Sequence, residues 1–66
     1  MKISGKVISF DGYIGLIMGI DNEEYLILKN DVVDNIKVND IVIFEPEVYE
    51  DLELTKKIAR FIKLNN

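Results

Sequence analysis

Residues 2–20 read KISGKVISFDGYIGLIMGI and predict a β-hairpin. The two halves are rich in Ile and other apolar residues, and they flank Asp11-Gly12, a strong signal for a tight turn between strands. Gly5 interrupts the first half and indicates a bulge or bend. We therefore expect strands at residues 2–10 and 13–20.

Working outward from this hairpin, three more short strands follow at residues 24–28, 41–47 and 55–64. Between them we expect a connection with one helical turn at 29–38 and an acidic loop at 48–54. The last segment also fits a helix, but its alternation of Ile58, Arg60, Ile62 and Leu64 favours a strand.

Five short strands predict an all-β fold, a five-stranded antiparallel barrel of the OB type, because closing the sheet removes its exposed edges. The 66 residues leave room for one domain, residues 1–66. The predicted core is formed by inward-facing side chains, namely Val7, Ile17, Ile27, Val42, Phe44 and Ala59.

The composition excludes several classes of function. The chain has no Cys and no His, which excludes disulfides, zinc ribbons, cysteine nucleophiles and histidine bases. No Ser, Lys or carboxylate lies in a catalytic pattern, so we expect a binding module rather than an enzyme, without metal or cofactor. No apolar run is long enough to span a bilayer and no signal peptide is evident, which together predict a cytoplasmic protein without membrane contact.

Charge is unevenly distributed around a net value of −4. Residues 1–10 and 55–66 contain no acid and carry six of the eight cations, whereas residues 11–54 hold all twelve acids. A small domain uses such a net charge for solubility. Alternatively, the two chain ends lie side by side and form a basic strip on an acidic body.

Residues 5–10, GKVISF, and 12–17, GYIGLI, resemble the opening motifs of cold-shock domains, G-x-V-K-W-F and K-G-F-G-F-I. Residues 25–29, YLILK, align with the family's V-F-V-H-F, and residues 38–44 and 57–62 resemble its fourth and fifth strands. The resemblance covers nearly the whole chain and implies an OB-fold barrel that binds single-stranded RNA or DNA.

That resemblance implies weak, sequence-tolerant binding, in which aromatic rings stack on bases and cations follow the phosphates. The residues expected to carry it are Lys6, Phe10, Tyr13, Lys29, Lys56 and Arg60. Where cold-shock domains display further aromatic rings or a histidine, this chain has Ser9, Ile14, Leu16, Leu26, Leu28 and Lys29.

The aliphatic replacements support an alternative function. Side chains alternate along a strand, so Ile14, Leu16, Leu26 and Leu28 share the outer face if Ile17 and Ile27 point inward. We therefore expect these four to be at least partly exposed, forming a surface for a protein partner or a second copy of the chain. Otherwise the C-terminal segment, with Phe61, Ile62 and Leu64, or the 48–54 loop covers this face.

Overall fold

The computed structural model describes residues 1–65 and contains five strands. They are β1 (Ile3–Phe10), β2 (Ile14–Gly19), β3 (Glu24–Leu28), β4 (Ile41–Glu50) and β5 (Thr55–Leu64). A single 3-10 turn, Lys29–Asp31, opens the connection between β3 and β4. Within the described residues no helix is long and apolar enough to cross a membrane.

The strands close into a barrel in the order β1-β2-β3-β5-β4, which confirms the predicted five-stranded barrel and is consistent with an OB fold. The barrel is mixed rather than wholly antiparallel, because β3 and β5 run parallel where Leu26 pairs with Ile58. Strand directions cannot alternate all the way around a ring of five, so one neighbouring pair has to be parallel.

The barrel interior contains all six side chains that the sequence analysis placed there, each with no exposed surface. Tyr25, Ile36 and Ile62 complete the buried cluster. Ile36 comes from the connection between β3 and β4, so this segment contributes to the core as well as linking two strands.

Tyr25 is the polar member of this core. Its hydroxyl donates a hydrogen bond of 2.6 Å to Oδ2 of Asp21, in the turn between β2 and β3. This hydrogen bond, together with burial of the phenol, raises the pKa of Tyr25 to about 12. The same contact lowers the pKa of the Asp21 carboxyl.

We expect the protein to lose stability at alkaline pH as Tyr25 ionises. An unfolded tyrosine titrates near a pKa of about 10, so the folded state holds the proton more tightly. The resulting stabilisation is complete below about pH 10 and is lost as the pH rises to about 12. Urea unfolding across this range measures it, with Tyr25→Phe as the control. An equally steep alkaline loss in both proteins would contradict the assignment.

Strand β5 departs from simple alternation. The pairing of β4 with β5 shifts register between Ile43 and Glu45, where Phe61 adopts a φ of 53°. This irregularity turns Phe61 outward and Ile62 into the core. The prediction that Ile62 shares a face with Ile58 and Arg60 is therefore wrong, although the strand itself is confirmed.

Strands β4 and β5 extend beyond the closed part of the barrel. β1 covers only residues 41–44 of β4, whereas β4 and β5 stay paired as far as Glu50 and Thr55. We call residues 48–57 the arm. The predicted acidic loop is shorter than expected, because residues 48–50 belong to β4.

Candidate interaction face

Aliphatic side chains cover the outside of β2, β3 and the adjoining part of β5. Ile14 pairs across the strands with Leu28, and Leu16 pairs with Leu26. Leu26 in turn pairs with Ile58. We call these five residues the aliphatic face.

The aliphatic face is open, as the sequence analysis predicted for its first four members. Ile14 is 50% exposed and Leu28 36%, while Leu16 and Leu26 are partly buried by their neighbours. Neither of the proposed covering segments lies over Ile14, Leu16 and Leu26, although Leu54 of the 48–54 loop shares a hollow with Ile58. β5 is a wall of the barrel, and residues 48–50 continue β4.

A groove of about 690 Å³ begins at this face and runs toward β1. Its lining includes Ile14, Leu16 and Leu26 from the aliphatic face, Phe10 and Ile8 from β1, and Val38 from the β3–β4 connection. Ile8 and Val38 are each close to half exposed. The groove is therefore largely apolar.

A bulge in β1 shapes one wall of the groove. The register of β1 against β2 shifts between Val7 and Ser9, so that Ile8 is an extra residue on the outside of the strand. Gly15 pairs with Phe10 just beyond the bulge, and a Cβ there would come within 2.1 Å of the Ser9 carbonyl oxygen. Only glycine allows the two strands to approach so closely, which explains the glycine within this apolar run.

A second hollow, of about 520 Å³, lies on the other side of the aliphatic face, against the arm. It is lined by Ile58 together with Tyr49, Leu54 and Lys56. Because Ile58 neighbours Leu26, the apolar surface continues from the β1–β2 turn to the arm. Ile8, Val38 and the arm belong to this surface although the alternation pattern did not predict them there.

Tyr13 and Lys29, two of the predicted nucleic-acid ligands, lie together beside the groove. The Lys29 ammonium is 4.8 Å from the centroid of the Tyr13 ring, and the ring is 69% exposed. The Lys29 amide also donates a hydrogen bond to the Tyr13 carbonyl. Phe10 is less available, because it packs partly against the core.

The remaining predicted cations are spread around the barrel. Arg60 forms ion pairs with Asp31 at 2.7 Å and Glu47 at 3.5 Å, and these contacts raise the pKa of its guanidinium. Lys56 lies opposite Tyr49 in the β4–β5 strand pairing of the arm, and Lys6 is exposed on β1. The six predicted residues therefore do not form one cluster.

The basic strip considered for the chain ends does not form. β1 and β5 lie on opposite sides of β4 rather than side by side. The part of β4 between them is Ile41–Phe44, and the next residue, Glu45, contacts the amino terminus at 2.6 Å and pairs with Arg60 in the sheet. Positive charge at the two ends is thus separated and partly neutralised.

Among residues 1–65 no group of three or more acidic side chains is placed to hold a metal ion. A scan against models of known protein families finds no match, and no curated protein matches the chain.

Proposed function

We propose that this chain is a protein-interaction module whose aliphatic face binds an apolar segment of a partner. The observation that carries the proposal is the contiguous row formed by the partly exposed Leu16, Leu26 and Ile58, which the more exposed Ile14 and Leu28 extend. Burying one such side chain completely stabilises a protein by about 1.5–3 kcal/mol. A domain with only nine buried hydrophobic side chains among its described residues would gain considerably from covering this face.

The surroundings of the face also favour a protein over a nucleic acid. Aliphatic side chains offer apolar area but no ring on which a base can stack, and they occupy the middle of the surface. Of the two cations on the same outer side of β5, Lys56 lies toward the arm and Arg60 is engaged by two carboxylates. An apolar partner therefore fits the chemistry of this surface better than a chain of phosphates.

Selection of displayed random peptides tests this function. Peptides retained by the natural protein, but not by Leu26→Lys, should be rich in Leu, Ile, Val and Phe, and NMR shifts should map them to the aliphatic face. If the two proteins retain the same peptides, or if neither retains any, the face is not a protein-binding site.

Weak binding of single-stranded nucleic acid is the second candidate, because Tyr13 and Lys29 place an exposed ring and a cation side by side. Each base stacked on a ring contributes about 1–3 kcal/mol, so one or two rings support an affinity of roughly micromolar or weaker. Phosphate contacts make such binding strongly dependent on salt.

For this candidate we expect NMR titration with oligo(dT) or oligo(U) at low salt to perturb the amides of Tyr13 and Lys29, and less so Phe10. The perturbation should fade as salt is added, and Tyr13→Ala should abolish it. Unchanged Tyr13 and Phe10 signals at millimolar oligonucleotide would exclude this binding mode.

A further inference from the structure

The tip of the arm exposes apolar side chains that the chain itself does not cover. Leu52 is fully exposed, and Leu54 and Val48 are each at least half exposed. The tip is held in a defined turn, since the Asp51 amide donates to the Leu54 carbonyl and the Asp51 carboxylate accepts from the Glu53 amide. A fixed turn therefore presents leucines to solvent at the far end of a long hairpin.

The charge of the tip is opposite to that of the groove rim. Glu50, Asp51 and Glu53 make the tip acidic. Three lysines are close to groove residues along the chain or through a contact: Lys6, two residues before Ile8; Lys37, next to Val38; and Lys29, over Tyr13, which precedes Ile14. None of them lies within ion-pairing distance of a carboxylate among residues 1–65.

One carboxylate lies in the groove itself. Asp11 accepts hydrogen bonds from the amides of Tyr13 and Ile14, both at 2.9 Å. These two hydrogen bonds lower the pKa of the Asp11 carboxyl. Its charge is therefore partly compensated by the backbone, and the lysines on the rim remain available to an incoming acidic segment.

We infer that the arm of one copy binds in the groove of a second copy, with the tip leucines on the aliphatic face and the tip acids against the rim lysines. This contact rests on the proposed function and makes a second copy of the chain the partner. Each chain carries both the tip and the groove, so the contact can form twice in a two-fold symmetric dimer. One association would then cover both exposed apolar surfaces.

The contact can be tested by complementation between two variants, with self-association measured by sedimentation equilibrium or light scattering. The natural protein should shift from monomer to dimer mass as its concentration rises. Leu52→Ser removes an apolar side chain from the tip, and Ile14→Glu places in the groove a negative charge that repels the acidic tip. Each change should weaken self-association at least tenfold. An equimolar mixture of the two variants should associate again, because one supplies an intact groove and the other an intact arm.

Val33→Ser is the matched control, since Val33 is exposed but belongs neither to the arm nor to the groove lining. It should dimerise like the natural protein. Circular dichroism checks that each variant is folded, and Leu54→Ser replaces Leu52→Ser if the latter is not.

Three results would overturn the inference: a natural protein that stays monomeric at millimolar concentration, a Leu52→Ser variant that still dimerises, or a mixture that fails to associate. The second and third indicate face-to-face pairing or another contact. If the natural protein is monomeric but retains apolar peptides that Leu26→Lys does not, only the second copy is ruled out as the partner, and the protein-interaction function stands. The protein-interaction function fails separately, when the monomeric chain retains no such peptides.

Discussion

Phe44→Ala should lower the free energy of unfolding by about 3–5 kcal/mol, much of the stability of a domain this small. The Phe44 side chain has no exposed surface and packs against Tyr25, with 5.1 Å between ring centroids and 59° between ring planes. Its ring also lies against the inward side of Gly5, which has no side chain to fill the cavity. Urea unfolding measures the loss.

Phe61→Ala is the matched control for this prediction. Phe61 is 60% exposed and projects from the irregular part of β5, so removing its ring should change the free energy of unfolding by less than about 1 kcal/mol. Similar losses in both variants would mean that Phe44 is not a central member of the core.

The sequence was sufficient to place the first four strands, with β4 as far as residue 47, because their side chains alternate regularly apart from the bulge in β1. In β4, for example, Val42 and Phe44 point inward, whereas Ile41 and Ile43 point outward. The same rule fails after Arg60 in β5. The positive φ of Phe61 has no local sequence signal, since glycine or asparagine would be the usual residue in that conformation.

The arm was not predicted because residues 48–50 have no apolar alternation of their own and are held in β4 by pairing with residues 55–57. Residues 48–54 are acidic and resemble a solvated loop when they are considered alone. In the folded chain Val48 and Tyr49 pair with Lys57 and Lys56, so positive charge from the next strand lies opposite this acidic segment. Local composition contains no information on that pairing.

Four of the five residues of the aliphatic face were predictable, but the rest of the groove was not. Alternation along β2 and β3 placed Leu16 and Leu26 outside the barrel, and both are there. Ile8 reaches the groove through a β-bulge and Val38 through a loop, and neither position follows from a period-two pattern. Likewise, the nucleic-acid ligands were chosen by residue type, which did not reveal that carboxylates engage Arg60.

Leu26→Lys should leave the barrel folded and abolish binding to the aliphatic face. Leu26 points outward between Leu16 and Ile58 and is already partly exposed, so a lysine can extend its ammonium into water. We expect it to lower the free energy of unfolding by about 1 kcal/mol or less. In a complex, the same ammonium would be buried in an apolar contact without a partner, which is costly, so the affinity for apolar peptides should fall at least tenfold.

Ile27→Lys provides the contrast, because Ile27 is the next residue in β3 but points into the core with no exposed surface. Its ammonium would be buried without a counter-ion, and we expect the domain to unfold. Circular dichroism and urea unfolding of the two variants show which of them folds. Peptide binding is then measured on the folded variant. If Leu26→Lys also unfolds, then this face is part of the core; if it folds and binds peptides as well as the natural chain, the partner binds elsewhere.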